Sequence, residues 1–81
     1  MKLTVKLFAA ARDLVGHQEV EVDLPAGANI GDLRRQMGEQ FPALASLLTH
    51  AMFAVDAKYV ADDVPAPENS EIACIPPVSG G

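Results

Sequence analysis

The groups in this chain able to do chemistry are few and scattered. There is one cysteine, Cys74, and there are two widely separated histidines, His17 and His50. A lone thiol cannot close an internal disulfide, and neither it nor the isolated histidines supply the clustered donors that a metal site needs. No paired acid–base constellation and no Gly-x-x-x-x-Gly-Lys phosphate loop occurs. What remains is the end of the chain. After Glu71, ten residues run without a charge, IACIPPVSGG. Pro76 and Pro77 have no backbone N–H, so a strand ladder stops there and the chain leaves in an extended, polyproline-like form. Gly80 and Gly81 carry no side chain to block a narrow channel and reach backbone angles that other residues avoid. The candidate reactive group is the α-carboxylate of Gly81. Pro76, Pro77, Val78, Ser79 and Gly80 would precede it into a partner, giving a body over residues 1–75 and an extended reactive tail over residues 76–81.

Such a tail needs a rigid body to aim it. Residues 2–8, KLTVKLF, alternate: Leu3, Val5 and Leu7 share one parity, Lys2, Thr4 and Lys6 the other, as in a half-buried strand. Residues 9–16 suit a loop with a short helical turn ending at Gly16. Residues 19–24, EVEVDL, alternate without a fault, and the two strands should form an antiparallel hairpin. Pro25-Ala26-Gly27 breaks the strand. Asn29 is a helix N-cap, with the charge of Asp32 three residues on favouring the helix N-terminus. Ile30, Leu33, Met37 and Phe41 form one apolar helical stripe, weakened by Gly31 and Gly38 at about 1 kcal/mol each and stopped by Pro42. Leu44, Leu47 and Leu48 extend the core cover. Residues 52–55 make a third strand, turned by Asp56-Ala57-Lys58. Tyr59-Val60 begins a fourth, residues 62–70 form a loop, and residues 71–75 form the last strand. A hairpin, a crossing helix and a second strand pair predict an α+β, β-grasp (ubiquitin-like) fold. Its mixed sheet of four to five strands packs on one main helix and ends in a flexible Gly-Gly tail.

Composition sets outer limits. Eighty-one residues leave room for one domain, and 49% apolar content argues against disorder. No apolar run approaches the roughly 18 residues of a membrane span, and the N-terminus reads as a strand rather than a secretory signal. The net charge of −5 makes nucleic acid an unfavourable partner, because phosphate contacts need a basic surface. Residues 41–81 hold one base, Lys58, against five acids, a surface suited to solubility or to steering a basic partner. A single cysteine fits the reducing cytosol.

Two segments, LFAAARDLVG at residues 7–16 and IPPVSGG at residues 75–81, resemble the small, sulfur-carrier subunits of molybdopterin synthase. Element order and length agree along the whole chain. One departure is Asp56, where family members often carry Asn. The resemblance implies a cycle in which a ubiquitin-activating-type adenylyltransferase spends ATP to adenylate the Gly81 carboxylate. A sulfur donor converts the adenylate to a thiocarboxylate, and the tail delivers sulfur to cyclic pyranopterin monophosphate in the large subunit. It also implies a heterotetramer of two large and two small subunits, with no cofactor bound to this chain. The matched arginine, Arg12, and the positions of Phe8, Tyr59 and Ile75 would contact partners.

The residues support part of this independently. Phe8 and Ile75 fall on the outward parity of their strands, and Tyr59 near a strand edge can join them in an apolar patch. Cys74, on the inward parity, reads as a small core hydrophobe rather than a transfer thiol. Rival readings are a sulfur carrier for thiamine or cysteine synthesis, a ubiquitin-like protein modifier, and a plain binding module with an inert tail.

Overall fold

The alternation of apolar and polar residues is realised as a five-stranded sheet with helices on one face. The computed structural model describes residues 1–77. Along them run β1 (Lys2–Leu7), α1 (Ala9–Val15), β2 (Glu19–Asp23), α2 (Ile30–Gln40), a 3-10 turn (Pro42–Leu44), α3 (Ala45–Leu48), β3 (Met52–Val55), β4 (Lys58–Val60) and β5 (Ile72–Ile75). The strand order is β2-β1-β5-β3-β4. β1 and β5 lie parallel in the centre, and every other neighbouring pair is antiparallel. Parallel neighbours need a long crossover, and the chain between them, with α2 at its middle, supplies it. This is the β-grasp arrangement. Leu3, Val5 and Leu7 of β1 meet Ile30, Leu33 and Met37 of α2 in one core with Leu44, Phe53, Ile72 and Cys74.

The start of α2 is built with more than the expected cap. Asn29 Oδ1 accepts the N–H of Asp32 at 2.8 Å, and Asp32 Oδ2 accepts the N–H of Asn29 at 3.0 Å. This reciprocal box satisfies two donors that a helix end otherwise leaves free. The next two, on Ile30 and Gly31, donate to the carbonyls of Val64 and Asp62, each at 2.9 Å. That close approach explains Gly31, because a Cβ there would lie 3.3 Å from both Asn29 Oδ1 and Asp62 Cβ.

Arg34 ties three elements together. Its guanidinium bonds both carboxylate oxygens of Asp62 at 3.2 and 2.8 Å and the carbonyls of Leu48 and Ala51 at 2.6 Å each. It also lies 5.1 Å from the centre of the Phe53 ring, within cation–π range.

Four local expectations are refined. Residues 9–15 form a full helix rather than a loop with one turn, closed by Gly16 at φ +83. α2 ends at Gln40, so Phe41 is its half-buried C-cap rather than the last residue of the stripe. The third turn holds two residues, Asp56 and Ala57, because Val55 pairs directly with Lys58. Both have positive φ, 49° and 68°, as a type I′ hairpin turn requires. The Asp in place of Asn serves there, since its Oδ1 accepts the N–H of Glu71 at 3.0 Å. Finally, β5 begins at Ile72 rather than Glu71.

Candidate functional site

The site takes its geometry from the parallel pairing of β1 and β5. Leu7 sits opposite Cys74, so both strands end at the same edge of the sheet, and the residues that follow each one are neighbours. Phe8 continues the extended backbone of β1 at φ −123 and ψ 153, on the outward parity, beside Ile75. Met52 pairs with Ile75 from the other side. Phe8, Ile75 and Met52 therefore form a row across three strands at the edge from which the chain departs. Phe8 is 44% and Met52 48% exposed. A second row runs from Tyr59, 65% exposed, through its partner Ala54 to Ala73.

Three of the residues picked out from sequence, Phe8, Tyr59 and Ile75, are thus brought onto one face. Met52 completes the patch. Sequence reasoning missed it, although its parity, opposite to that of buried Phe53, carries the signal. Arg12 projects from α1, half exposed, with Nε 4.0 Å from Asp13 Oδ1. It joins the edge of the patch through a cavity of about 210 Å³ lined by Lys6, Leu7, Phe8, Arg12, Gln18 and Glu19.

The other half of the outward face is charged. β2 presents Glu19, Glu21 and Asp23, and β1 presents Lys2 and Lys6. Lys2 pairs with Glu21 at 3.6 Å and Lys6 with Glu71 at 3.2 Å. Exposed pairs of this kind add little stability. Their consequence is a boundary: charge on β1 and β2, apolar surface on β5, β3 and β4.

Cys74 is fully buried, and desolvation pushes its thiol up to about 11, with the Arg34 charge opposing weakly. A buried neutral thiol is a poor nucleophile, so Cys74 is a core residue. His17 and His50 are exposed. Among the described residues, no group of three His, Cys, Asp or Glu side chains is placed to hold a metal ion, and no helix is long and apolar enough to cross a membrane. Of the tail, Pro76 is buried and Pro77 exposed. Val78, Ser79, Gly80 and Gly81 lie outside the described residues.

Comparison with known proteins places these features in context. The profile of the ThiS family matches residues 5–81. A molybdopterin synthase sulfur carrier subunit of Caenorhabditis briggsae is 39% identical over 83 residues, spanning 100% of this chain and 99% of its own. The crystal structure of SAMP1, small archaeal modifier protein 1, from Haloferax volcanii superimposes with a TM-score of 0.84 at 27% identity, covering 100% of both chains. A complex of subunits 1 and 2 of the molybdopterin-converting factor from Helicobacter pylori contains a chain of the same fold. There the TM-score is 0.68 at 18% identity, with 100% of both chains covered.

Proposed function

The chain belongs to the ThiS family, and from that premise we propose that it is the sulfur-carrying small subunit of a molybdopterin synthase, acting in the cytoplasm. The carboxylate of Gly81 is a poor electrophile at neutral pH. An adenylyltransferase of the ubiquitin-activating type joins it to AMP from ATP, releasing pyrophosphate, and a sulfur donor then displaces the AMP to leave a thiocarboxylate. The tail enters the large subunit and passes the sulfur to cyclic pyranopterin monophosphate. Two such deliveries make the dithiolene. The complete synthase is a heterotetramer, two large subunits each carrying one small subunit. On this reading the acid–base and nucleotide chemistry belongs to the partners. This chain is a covalent cosubstrate that presents one carboxylate at a fixed reach.

The observation that carries this reading is the position of the apolar row. Phe8, Ile75 and Met52 lie at the sheet edge where β5 hands over to the tail. A partner that covers the row receives the tail in the same act. Incubation with the activating enzyme, ATP and a sulfur donor tests the reading, with intact mass and then dithiolene formation as readouts. The expected mass change is one oxygen exchanged for sulfur. An unchanged mass under conditions that convert a known carrier would refute it.

The likeness to a small archaeal modifier protein favours a second reading, in which the same activated carboxylate forms isopeptide bonds with lysines. Immunoblots of lysates distinguish the two: a ladder of conjugates marks a modifier, a single free band a dedicated carrier.

A further inference from the structure

We propose that Pro76 is the positioning residue of the tail, a buried pivot from which residues 77–81 alone extend into the partner. The proposal rests on the sulfur-carrier reading and moves Pro76 from the inserted tail, where the sequence puts it, to the body.

Three observations converge. Ile72, Cys74 and Pro76 alternate on the inward side of β5 and all three are buried, while Pro77 is exposed. The passage from body to solvent thus takes a single residue. The inward side at this edge is covered by α1, which packs against β5 and against the Pro42–Leu44 turn and whose Ala11 is completely buried. The ends of α1 are closed by local hydrogen bonds, Ala11 N–H to the Phe8 carbonyl at 3.1 Å and Gly16 N–H to the Arg12 carbonyl at 2.8 Å. Within the sheet, β5 is held by β1 as far as Cys74 and by β3 as far as Ile75. Pro76, with no N–H, ends the ladder there, and its ring fixes φ near −65°. The chain is therefore held in the sheet up to Ile75 and buried on its inward side at Pro76, and its heading is set at the point of release.

The consequence is a ruler with a defined origin. Five residues at about 3.3–3.6 Å each put the Gly81 carboxyl at most about 18 Å from the pivot. If the pivot loosens, the origin retreats into β5 and at least one more residue must be ordered in the transfer complex. That ordering corresponds to roughly a tenfold loss of rate, with no loss of affinity, because the apolar rows are unchanged.

The test uses full-length carriers bearing the thiocarboxylate and a saturating large subunit, with single-turnover dithiolene formation and calorimetric affinity measured together. Pro76→Gly is expected to slow transfer about tenfold while affinity stays within about twofold. Pro76→Val, which restores a buried side chain suited to extended backbone, should recover most of the rate. Turnover of Pro76→Gly close to that of the parent, or a fall in affinity matching the fall in rate, would each overturn the proposal. Amide hydrogen exchange at Cys74 and Ile75 reads the pivot without sulfur chemistry. Pro76→Gly should accelerate it about tenfold and Pro77→Gly should not, and equal exchange in both variants would overturn the pivot. Should Pro76→Gly fail to fold, the same comparison is made with Pro76→Ala. A parent thiocarboxylate that yields no dithiolene refutes the carrier reading instead, and the exchange experiment still decides the pivot.

Discussion

Replacing Phe8 by alanine should weaken binding to the large subunit about ten- to thirtyfold while leaving the body folded. A phenylalanine offers on the order of 200 Å² of surface, and at 44% exposure close to half of it remains available to a partner. Allowing for the area that alanine itself retains, about 60–80 Å² of apolar burial is lost, which at ~25 cal/mol per Å² is about 1.5–2 kcal/mol, or roughly ten- to thirtyfold in Kd. Ile75→Asp should do more. It places a carboxylate between Phe8 and Met52, where docking would strip its water without supplying a partner, at a cost of several kcal/mol. Ile75 is half-buried in the free protein, so this substitution should also lower the thermal midpoint by several degrees, and affinity is measured below the variant's melt. Thr4→Ala is the control: Thr4 shares the outward face but lies opposite Glu21 on the charged side. The assay is calorimetric titration of each variant against the large subunit, with circular dichroism melts alongside. Unchanged affinity in a folded Phe8→Ala or Ile75→Asp protein, or an equal loss for Thr4→Ala, would show that the apolar rows do not carry the interface.

Deleting Gly81, or adding one residue after it, should abolish sulfur delivery without moving the melt, since one residue changes the reach by about 3.3–3.6 Å where about 1 Å of misalignment can cost a hundredfold; dithiolene formation measures it. Cys74→Ala should keep thiocarboxylate formation, read by intact mass, and lower stability by about 1 kcal/mol for a small buried group. Arg34→Met should lower stability by about 2 kcal/mol and the thermal midpoint by about 10 °C, because the carbonyls of Leu48 and Ala51 lose their donor. Asp32 is held below the usual carboxylate range, first by its hydrogen bond with the Asn29 backbone and then by Arg35, against opposing desolvation. Its contribution is therefore complete above its unfolded pKa and lost as pH falls through the folded one. Acid titration followed by circular dichroism should show a shallower loss of stability in Asp32→Asn below about pH 4.

How much of this is legible from residues alone depends on whether the signal is local. The outward parity of Phe8 and Ile75 can be read because each strand alternates on one buried face, and a shift of one residue would expose the whole apolar set. The cap at Asn29 is local in the same way. α1 is not: Phe8 offers no side-chain cap, Ala9 adopts φ +50, and the helix is held by burial of Ala11 against distant elements, so AAARDLV carries no start signal. Arg34 is harder still. It reaches Asp62, 28 positions away in sequence, and two carbonyls exposed by the α3–β3 junction, and no periodicity reveals which arginine will do so. Pro76 stands between these cases. Its parity with Ile72 and Cys74 is visible, but the expectation that prolines end a strand conceals that the first of them is buried.

The division of the outer sheet face bears on how affinity and chemistry are kept apart. A terminal carboxylate with two glycines buries almost no apolar area and so adds little binding energy. Any such energy that is equal in the ground state and in the transition state of sulfur transfer would not accelerate it. The body must therefore supply the affinity. On the proposed reading it does so around Phe8, Met52, Tyr59 and Ile75, while Lys2 and Lys6 are already paired with Glu21 and Glu71. Because the row through Phe8, Ile75 and Met52 ends one residue before Pro76, binding energy collected there would be converted into placement of the tail. Substitutions on the rows should consequently appear in Kd, substitutions at the pivot and the terminal glycines in the rate at saturation, and a double substitution drawn from the two groups should be additive.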